Sequence, residues 1–206
     1  MYDEDIKLTS GSALDVMKAA MKFQIPQLIK KCFDFIVKSL SIDNVCDTIS
    51  FSIECANEDL ADKCVSYISM NAANVLKADG FQRLSRDALI RVLQNDYLKG
   101  VSETDVFKAC VKWADRTCQC KQLALTDANR RNVLGEAIYQ VRFTSFTPEE
   151  FFELTEESEI LTPAEQLMFC RIHMTRKELP KSTQFNRHER KRWDNGEFIP
   201  RYLKAL

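Results

Sequence analysis

Apolar residues recur along this chain at intervals of three and four, the spacing that lines one face of an α-helix. Leu14, Met17 and Met21 share such a face behind Ser10 or Ser12, either of which can cap the first turn. Pro26 suits the start of the next helix, where its missing N–H costs nothing, and Leu28, Cys32, Phe35 and Ile36 line the inner stripe. Asp43 is placed to cap a run with Val45, Ile49 and Ile53 on one face. Asn57 opens another bearing Leu60, Cys64, Tyr67, Ile68 and Val75. Gly80 marks a break, and Ser85 caps a short helix carrying Leu89, Val92 and Leu93.

The same pattern fills the second half. Ser102-Glu103-Thr104-Asp105 starts a helix whose Val106, Phe107, Cys110, Trp113 and Ala114 cover more than one face, which places it centrally. Thr126 caps a helix expected to turn Leu134, Ala137, Ile138 and Val141 inward. Thr147-Pro148-Glu149-Glu150 and Thr162-Pro163-Ala164-Glu165 are capping boxes, in which Thr and Glu satisfy each other's orphan N–H groups. Only Ile6-Lys7-Leu8 looks strand-like. Helix starts are unevenly spaced and no motif recurs, so the chain is not a tandem repeat. The predicted fold is all-α, an antiparallel helical array. Residues 43–173 are expected to fold as one unit around Leu93, Phe107, Trp113 and Leu134.

Composition narrows this further. The 206 residues, 45% hydrophobic and 29% charged, fit one globular domain with flanking pieces. Only five Gly and five Pro occur, too few for a many-turned β-sandwich. No uncharged apolar run approaches the ~18 residues of a membrane span, and the acidic start is unlike a signal peptide. Of the eight cysteines, Cys32, Cys46, Cys55, Cys64, Cys110 and Cys170 sit singly in apolar runs, as small hydrophobes do. That usage predicts a reducing, cytoplasmic setting, with the nucleus as a further site. Residues 174–206 hold nine basic and four acidic side chains, against 20 and 26 in the rest. An acidic body with a basic tail or linker is the coarse organisation.

Candidate chemistry is sparse. No Gly-rich phosphate loop, nucleophile elbow or zinc-protease helix motif is present, and His173 and His188 are the only imidazoles. An enzyme is not expected, nor is a cofactor. Cys170 and His173 have a metal-compatible spacing, but their partners would be Cys118 and Cys120, roughly fifty residues upstream, or Cys110. A metal is therefore not expected either. Cys110 and Cys170 are read as core, and Cys118 and Cys120 as a helix end near solvent. Glu149, Glu150, Glu153, Glu156, Glu157 and Glu159 read as a helix N-terminus plus a solvated loop. Residues 187–193, Arg-His-Glu-Arg-Lys-Arg-Trp, read as a solvated tail, because one Trp is no stacking platform. Phe185, Trp193, Phe198, Ile199 and Tyr202 nevertheless mark that tail as able to dock.

Several segments together resemble a known family. Residues 2–8, Tyr-Asp-Glu-Asp-Ile-Lys-Leu, resemble the last strand region of a BTB/POZ domain. Ala19-Ala20-Met21-Lys22-Phe23-Gln24-Ile25-Pro26-Gln27-Leu28, with Cys32 and Phe35, resembles that domain's closing helical hairpin. Gly80-Phe81, Leu84-Ser85, Leu89, Val92-Leu93, Asp96, Val106-Phe107, Ala109 and Trp113-Ala114 look like the BACK domain that follows BTB. Asn129-Arg130-Arg131, Leu134-Gly135, Ile138-Tyr139, Val141-Arg142-Phe143 and Ile160-Leu161-Thr162 with Glu165 continue it. The pattern is most similar to BTB–BACK proteins that carry a PHR domain rather than Kelch repeats.

The resemblance implies a layout: residues 1–40 as the C-terminal remnant of a BTB/POZ domain, 41–173 as a BACK domain and 174–206 as a basic tail. Most of the BTB sheet and its dimerising helix would lie upstream. It also implies a role, as the non-catalytic substrate adaptor of a cullin-3 ubiquitin ligase whose substrate is unknown. In that family the helix pair after the BTB domain helps form the cullin surface. By position it corresponds to residues 43–68, with Val45, Ile49, Ile53, Leu60, Cys64 and Ile68 as groove or core residues. With only part of the BTB surface, cullin-3 binding is expected to be weak. The alternative is a nuclear or nucleic-acid-associated protein acting through its basic tail. Membrane and nucleic-acid partners are not expected.

Overall fold

A computed structural model of the chain describes residues 8–9, 11–175, 177–190, 193–194 and 197–198. The strand-like stretch at residues 6–8, the cap candidate Ser10, and Lys191, Arg192, Ile199 and Tyr202 fall wholly or partly outside them. Helix follows helix: α1 (Ala13–Lys22), α2 (Pro26–Lys38), α3 (Val45–Glu54), α4 (Glu58–Met70), α5 (Ala72–Val75), α6 (Arg86–Gln94), α7 (Glu103–Cys120), α8 (Asp127–Leu134), α9 (Pro148–Glu157) and α10 (Pro163–Thr175). Short 3₁₀ segments lie at Phe81–Arg83, Gly135–Gln140 and Phe143–Ser145. The chain is an all-α array, relieved among the described residues only by a two-residue antiparallel ladder that pairs Trp193 with Phe198 and Asp194 with Glu197. Its signal in the sequence is the Asn-Gly dipeptide between the paired residues.

Side-chain caps account for most helix starts. Asn57, Ser85, Ser102, Thr126 and Thr147 each accept a hydrogen bond from an N–H in the first turn. Glu150 and Glu165 return the bond to the N–H of Thr147 and Thr162, closing both expected capping boxes. Asp105 does the same for Ser102. Two starts differ from the sequence reading. Asn44, not Asp43, precedes α3, and its Oδ1 accepts from the N–H of Ser41 instead of capping the helix. Ser12 precedes α1, but its hydroxyl is engaged with Thr9.

Helix ends show a second economy. Gln24, Ala56 and Gln122 have φ of 54°, 52° and 55°, a left-handed turn usually given to glycine. In each case the next N–H reaches back five residues to a helical carbonyl: Ile25 to Ala20, Asn57 to Ser52, Leu123 to Cys118. These are Schellman ends without glycine, which is why so few glycines can punctuate so many helices. Gly135 does the opposite. The single helix expected to run from Thr126 past Val141 stops at Leu134, because Gly135 turns to φ 52° and the chain continues as a 3₁₀ segment. Ala137, Ile138 and Val141 still face inward. The helix after Asn57 likewise breaks at Asn71, leaving Val75 in the short α5.

One apolar core runs through the molecule. Consecutive helices pack as pairs, α1 on α2, α3 on α4 and α7 on α8, while α2 touches α4 and α7 touches Phe81–Arg83. The buried residues of α7, from Val106 to Cys118, spread round much of its circumference, so it is the central helix. Trp113, with Phe107, Leu93 and Leu134, lies in this core, and its indole Nε1 donates to the Leu84 carbonyl at 2.9 Å. Phe143 gathers the rings of Phe107, Phe146, Phe169 and Phe185 at centroid distances of 5.2–5.7 Å.

The hairpin and the start of the tail also join the core. Met17, Cys32 and Ile36 of α1 and α2 belong to the same buried cluster as α7. Burying the two larger side chains stabilises that docking by about 1.5–3 kcal/mol each. Residues 177–190 lie along the body with Leu179 and Phe185 buried, as the docking signal at Phe185 suggested, while Arg187, His188 and Glu189 of the expected solvated stretch are exposed. The reason is aromatic packing, since Phe185 meets Tyr139 and Phe169 edge-on at 5.0 Å.

Candidate partner-binding surface

The α3–α4 pair is built by two seams of apolar residues facing each other. Val45, Ile49, Leu60, Cys64 and Ile68, five of the six candidate partner residues, are at most 1% exposed and belong to the core. They position the pair; they offer nothing to a partner in this conformation. Ile53 alone reaches the surface, half-buried in the last turn of α3. The three residues that turn the chain into α4 follow it, so its side chain sits on the rim of the pair.

The exposed acids of α3 and α4 are paired with cations from other elements. Glu54 takes Lys18 of α1 at 3.0 Å, and Asp47 takes Arg83 at 3.2 Å. Arg91 of α6 reaches Asp62 at 2.6 Å and Glu58 at 3.5 Å. Hydrogen bonding to Glu54 and its charge raise the Lys18 ammonium above its ordinary value. These exposed pairs orient side chains more than they stabilise. The adjoining hairpin tip carries Phe23, 69% exposed, and Ile25, 42% exposed. Phe33 and Phe35 are only half-covered and pack against the core from its edge.

Among the described residues no group of three or more His, Cys, Asp and Glu side chains is placed to hold a metal ion. His173 Nε2 lies 3.1 Å from the Phe143 carbonyl, with its ring 4.9 Å from that of Phe151, while Cys170 is half-buried. Cys110 is buried as expected, but Cys118 is buried too, not near solvent, and only Cys120 is exposed. The α7 face carrying Cys118 turns inward, which places that thiol in the core. Burial pushes the thiols of Cys46, Cys64 and Cys110 up to about 12, so they stay protonated and unreactive. A cleft of about 470 Å³ lies beside α7, with Phe107, Val111 and Leu154 in its wall and Lys108, Lys112 and Glu153 among its charged lining. Among the described residues no helix is long and apolar enough to cross a membrane.

One polar cluster escaped the sequence reading. Arg142 is completely buried, its N–H donates to Glu103 Oε2 at 3.1 Å, and its Nη2 reaches Asp96 Oδ1 at 2.8 Å. Burial, then the charge of nearby Arg190, lowers the Arg142 guanidinium to about 10, still cationic at neutral pH. The available signal was a cation inside an apolar stretch, Val141-Arg142-Phe143. Glu103 gave no such sign, because a carboxylate in a first helical turn is usually a solvated dipole partner.

Known proteins place these features. The sequence profile described as BTB And C-terminal Kelch, BACK, matches residues 45–156, more than half of the chain. BTB/POZ domain-containing protein 6 of Xenopus tropicalis is 35% identical over 162 residues, which cover 79% of this chain and 30% of that protein. The Homo sapiens protein of that name is 34% identical over the same shares. BTB/POZ domain-containing protein 3 of Homo sapiens is 33% identical, covering 79% of this chain and 31% of that protein. The matched part thus spans about a third of the length of these relatives. With α3 to α8 and all but the last residue of α9 inside the matched residues, the chain belongs to the BACK family of BTB/POZ-domain proteins.

Proposed function

We propose that this chain is a non-catalytic protein-interaction module, the helical spacer of a cullin-3 ubiquitin-ligase adaptor. In this reading residues 41–173 form the BACK domain, and residues 1–40 supply the closing hairpin of a BTB domain. The α3–α4 pair contributes to the cullin surface through its rim. The observation that carries this reading is the division of labour among the six candidates: five form a buried seam that joins the two helices, and Ile53 stays half-buried at the end of α3, next to the Glu54–Lys18 ion pair. Such a rim anchor suits docking against a preformed groove, where a few buried side chains supply most of the affinity.

Calorimetric titration with the N-terminal domain of cullin-3 tests it. An adaptor that binds at about 10 nM has about −11 kcal/mol to divide between its BTB surface and its helix pair. Half of that leaves a Kd of about 0.1 mM for this chain alone. A longer chain with a complete BTB domain upstream should bind tightly, and Ile53→Asp in it should weaken binding by about ten-fold or more. Submicromolar binding by the 206-residue chain, or an inert Ile53→Asp, contradicts this division.

A further inference from the structure

Residues 177–190 cross a groove bordered by the end of α6, the start of α7, the Gly135–Gln140 segment and α10. Two side chains anchor them. Phe185, 4% exposed, enters a slot made by Tyr139, Phe143 and Phe169. Arg190 enters a cup of acceptors: its Nε donates to Glu103 Oε1, and its Nη1 donates to the carbonyl of Asn95 and, at 2.9 Å, to that of Leu93. Between the anchors the Asn186 N–H donates to the Tyr139 carbonyl at 2.8 Å. An aromatic in a slot, a main-chain bond and an arginine in a carboxylate-lined cup are the means by which folded domains hold extended peptides.

A second observation makes this occupant exchangeable. The Arg190 guanidinium pairs with the buried carboxylate of Glu103, which also accepts the backbone N–H of Arg142, while the nearby Arg142 guanidinium pairs with Asp96, whose side chain is half exposed. Arg142 Nε, Arg142 Nη1 and Arg190 Nη2 are buried without a hydrogen-bond partner among the described residues. Like-charge repulsion and unpaired buried donors both oppose the seated state. Withdrawal of Arg190 would leave Arg142 facing Glu103 and Asp96, two carboxylates for one cation. No comparable opposition exists at the α3–α4 seam, which is apolar.

We propose that this groove is a peptide-binding site for an extended segment of the pattern Phe-x-x-x-x-Arg. Residues 185–190 fill it from within the same chain, and a partner segment bearing the same aromatic and arginine displaces them. The site is separate from Ile53 and does not depend on cullin binding.

The probe is a fluorescently labelled synthetic peptide with the sequence of residues 182–192. It is titrated into the whole chain and into the whole chain carrying Phe185→Ser and Arg190→Ser, with circular dichroism as the check on folding. The vacated variant should bind at least about ten-fold more tightly than the unaltered chain, and a peptide carrying Arg190→Ala should lose about ten-fold. Equal affinity for both chains, or indifference to Arg190→Ala, overturns the proposal. Should the vacated variant not fold, amide exchange on the unaltered chain decides. The Asn186 amide should then exchange about 100-fold faster than that of Trp113, through local opening. Equal protection at the two amides means that the segment is an integral part of the core, and the proposal fails.

Discussion

Trp113 is held in two ways, by burial at 3% exposure and by the bond from its indole to the Leu84 carbonyl. Trp113→Ala should therefore cost about 3–5 kcal/mol in urea unfolding, as a cavity in a close-packed core does. Trp113→Phe keeps most of the volume and exposes the worth of the hydrogen bond, about 1 kcal/mol. A loss below ~1 kcal/mol for Trp113→Ala would place this side chain at the surface, against the packing described. Gln122 poses the reverse case. It adopts φ 55° after α7, where a Cβ carries a cost that glycine escapes. Gln122→Gly should stabilise by about 0.5–1 kcal/mol, read as a higher urea midpoint at an unchanged slope. Core positions of this kind were legible from helical spacing. The left-handed ends were not, since Gln and Ala carry no mark of that conformation.

The α1–α2 hairpin has one face in the core and one at the surface. Met17, Cys32 and Ile36 join the core, while Phe23 and Ile25 stand exposed at the tip beside half-covered Phe33 and Phe35. Exposed aromatic and aliphatic side chains in one place favour self-association. Phe23→Ser with Ile25→Ser should lower concentration-dependent light scattering and shift stability by no more than about 0.5 kcal/mol, because neither side chain is buried. Unchanged scattering would mean that association, if present, uses another face. The candidate cullin residues show how far an element-level reading reaches. Spacing put Val45, Ile49 and Ile53 on one helix face and Leu60, Cys64 and Ile68 on the next, and the resemblance made them cullin candidates; which of them faces a neighbouring helix depends on where that helix lies.

Across the whole molecule, acid stability follows from two carboxylates: Asp105, which closes the cap of α7, and Asp127, which ties α8 to Ser158 and Glu159. Backbone and side-chain hydrogen bonds from Ser102 hold Asp105 below the ordinary carboxylate range, although burial opposes them. Burial pushes Asp127 up, but Arg130, the Glu159 N–H and the Ser158 hydroxyl outweigh it and hold that carboxyl low. Both contribute stability that is fully present above about pH 4 and is lost as pH falls through their lower folded values. Thermal melts from pH 7 to 3 should show this decline. Asp127→Asn should be less stable at pH 7 and converge on the parent in acid; a constant gap would mean that its charge does not matter. By itself the sequence determined the helical class, most of the caps and the central place of α7, because these depend on neighbours within one or two turns, and the ordered resemblance of several segments pointed to the family. Tertiary structure alone decided that Ile53 and not Ile49 reaches the rim, that Cys118 turns inward, and that Arg142, Glu103 and Arg190 meet. Those three residues are far apart in the chain, and a buried charge is stable only when a distant partner arrives, which no local pattern of polarity records.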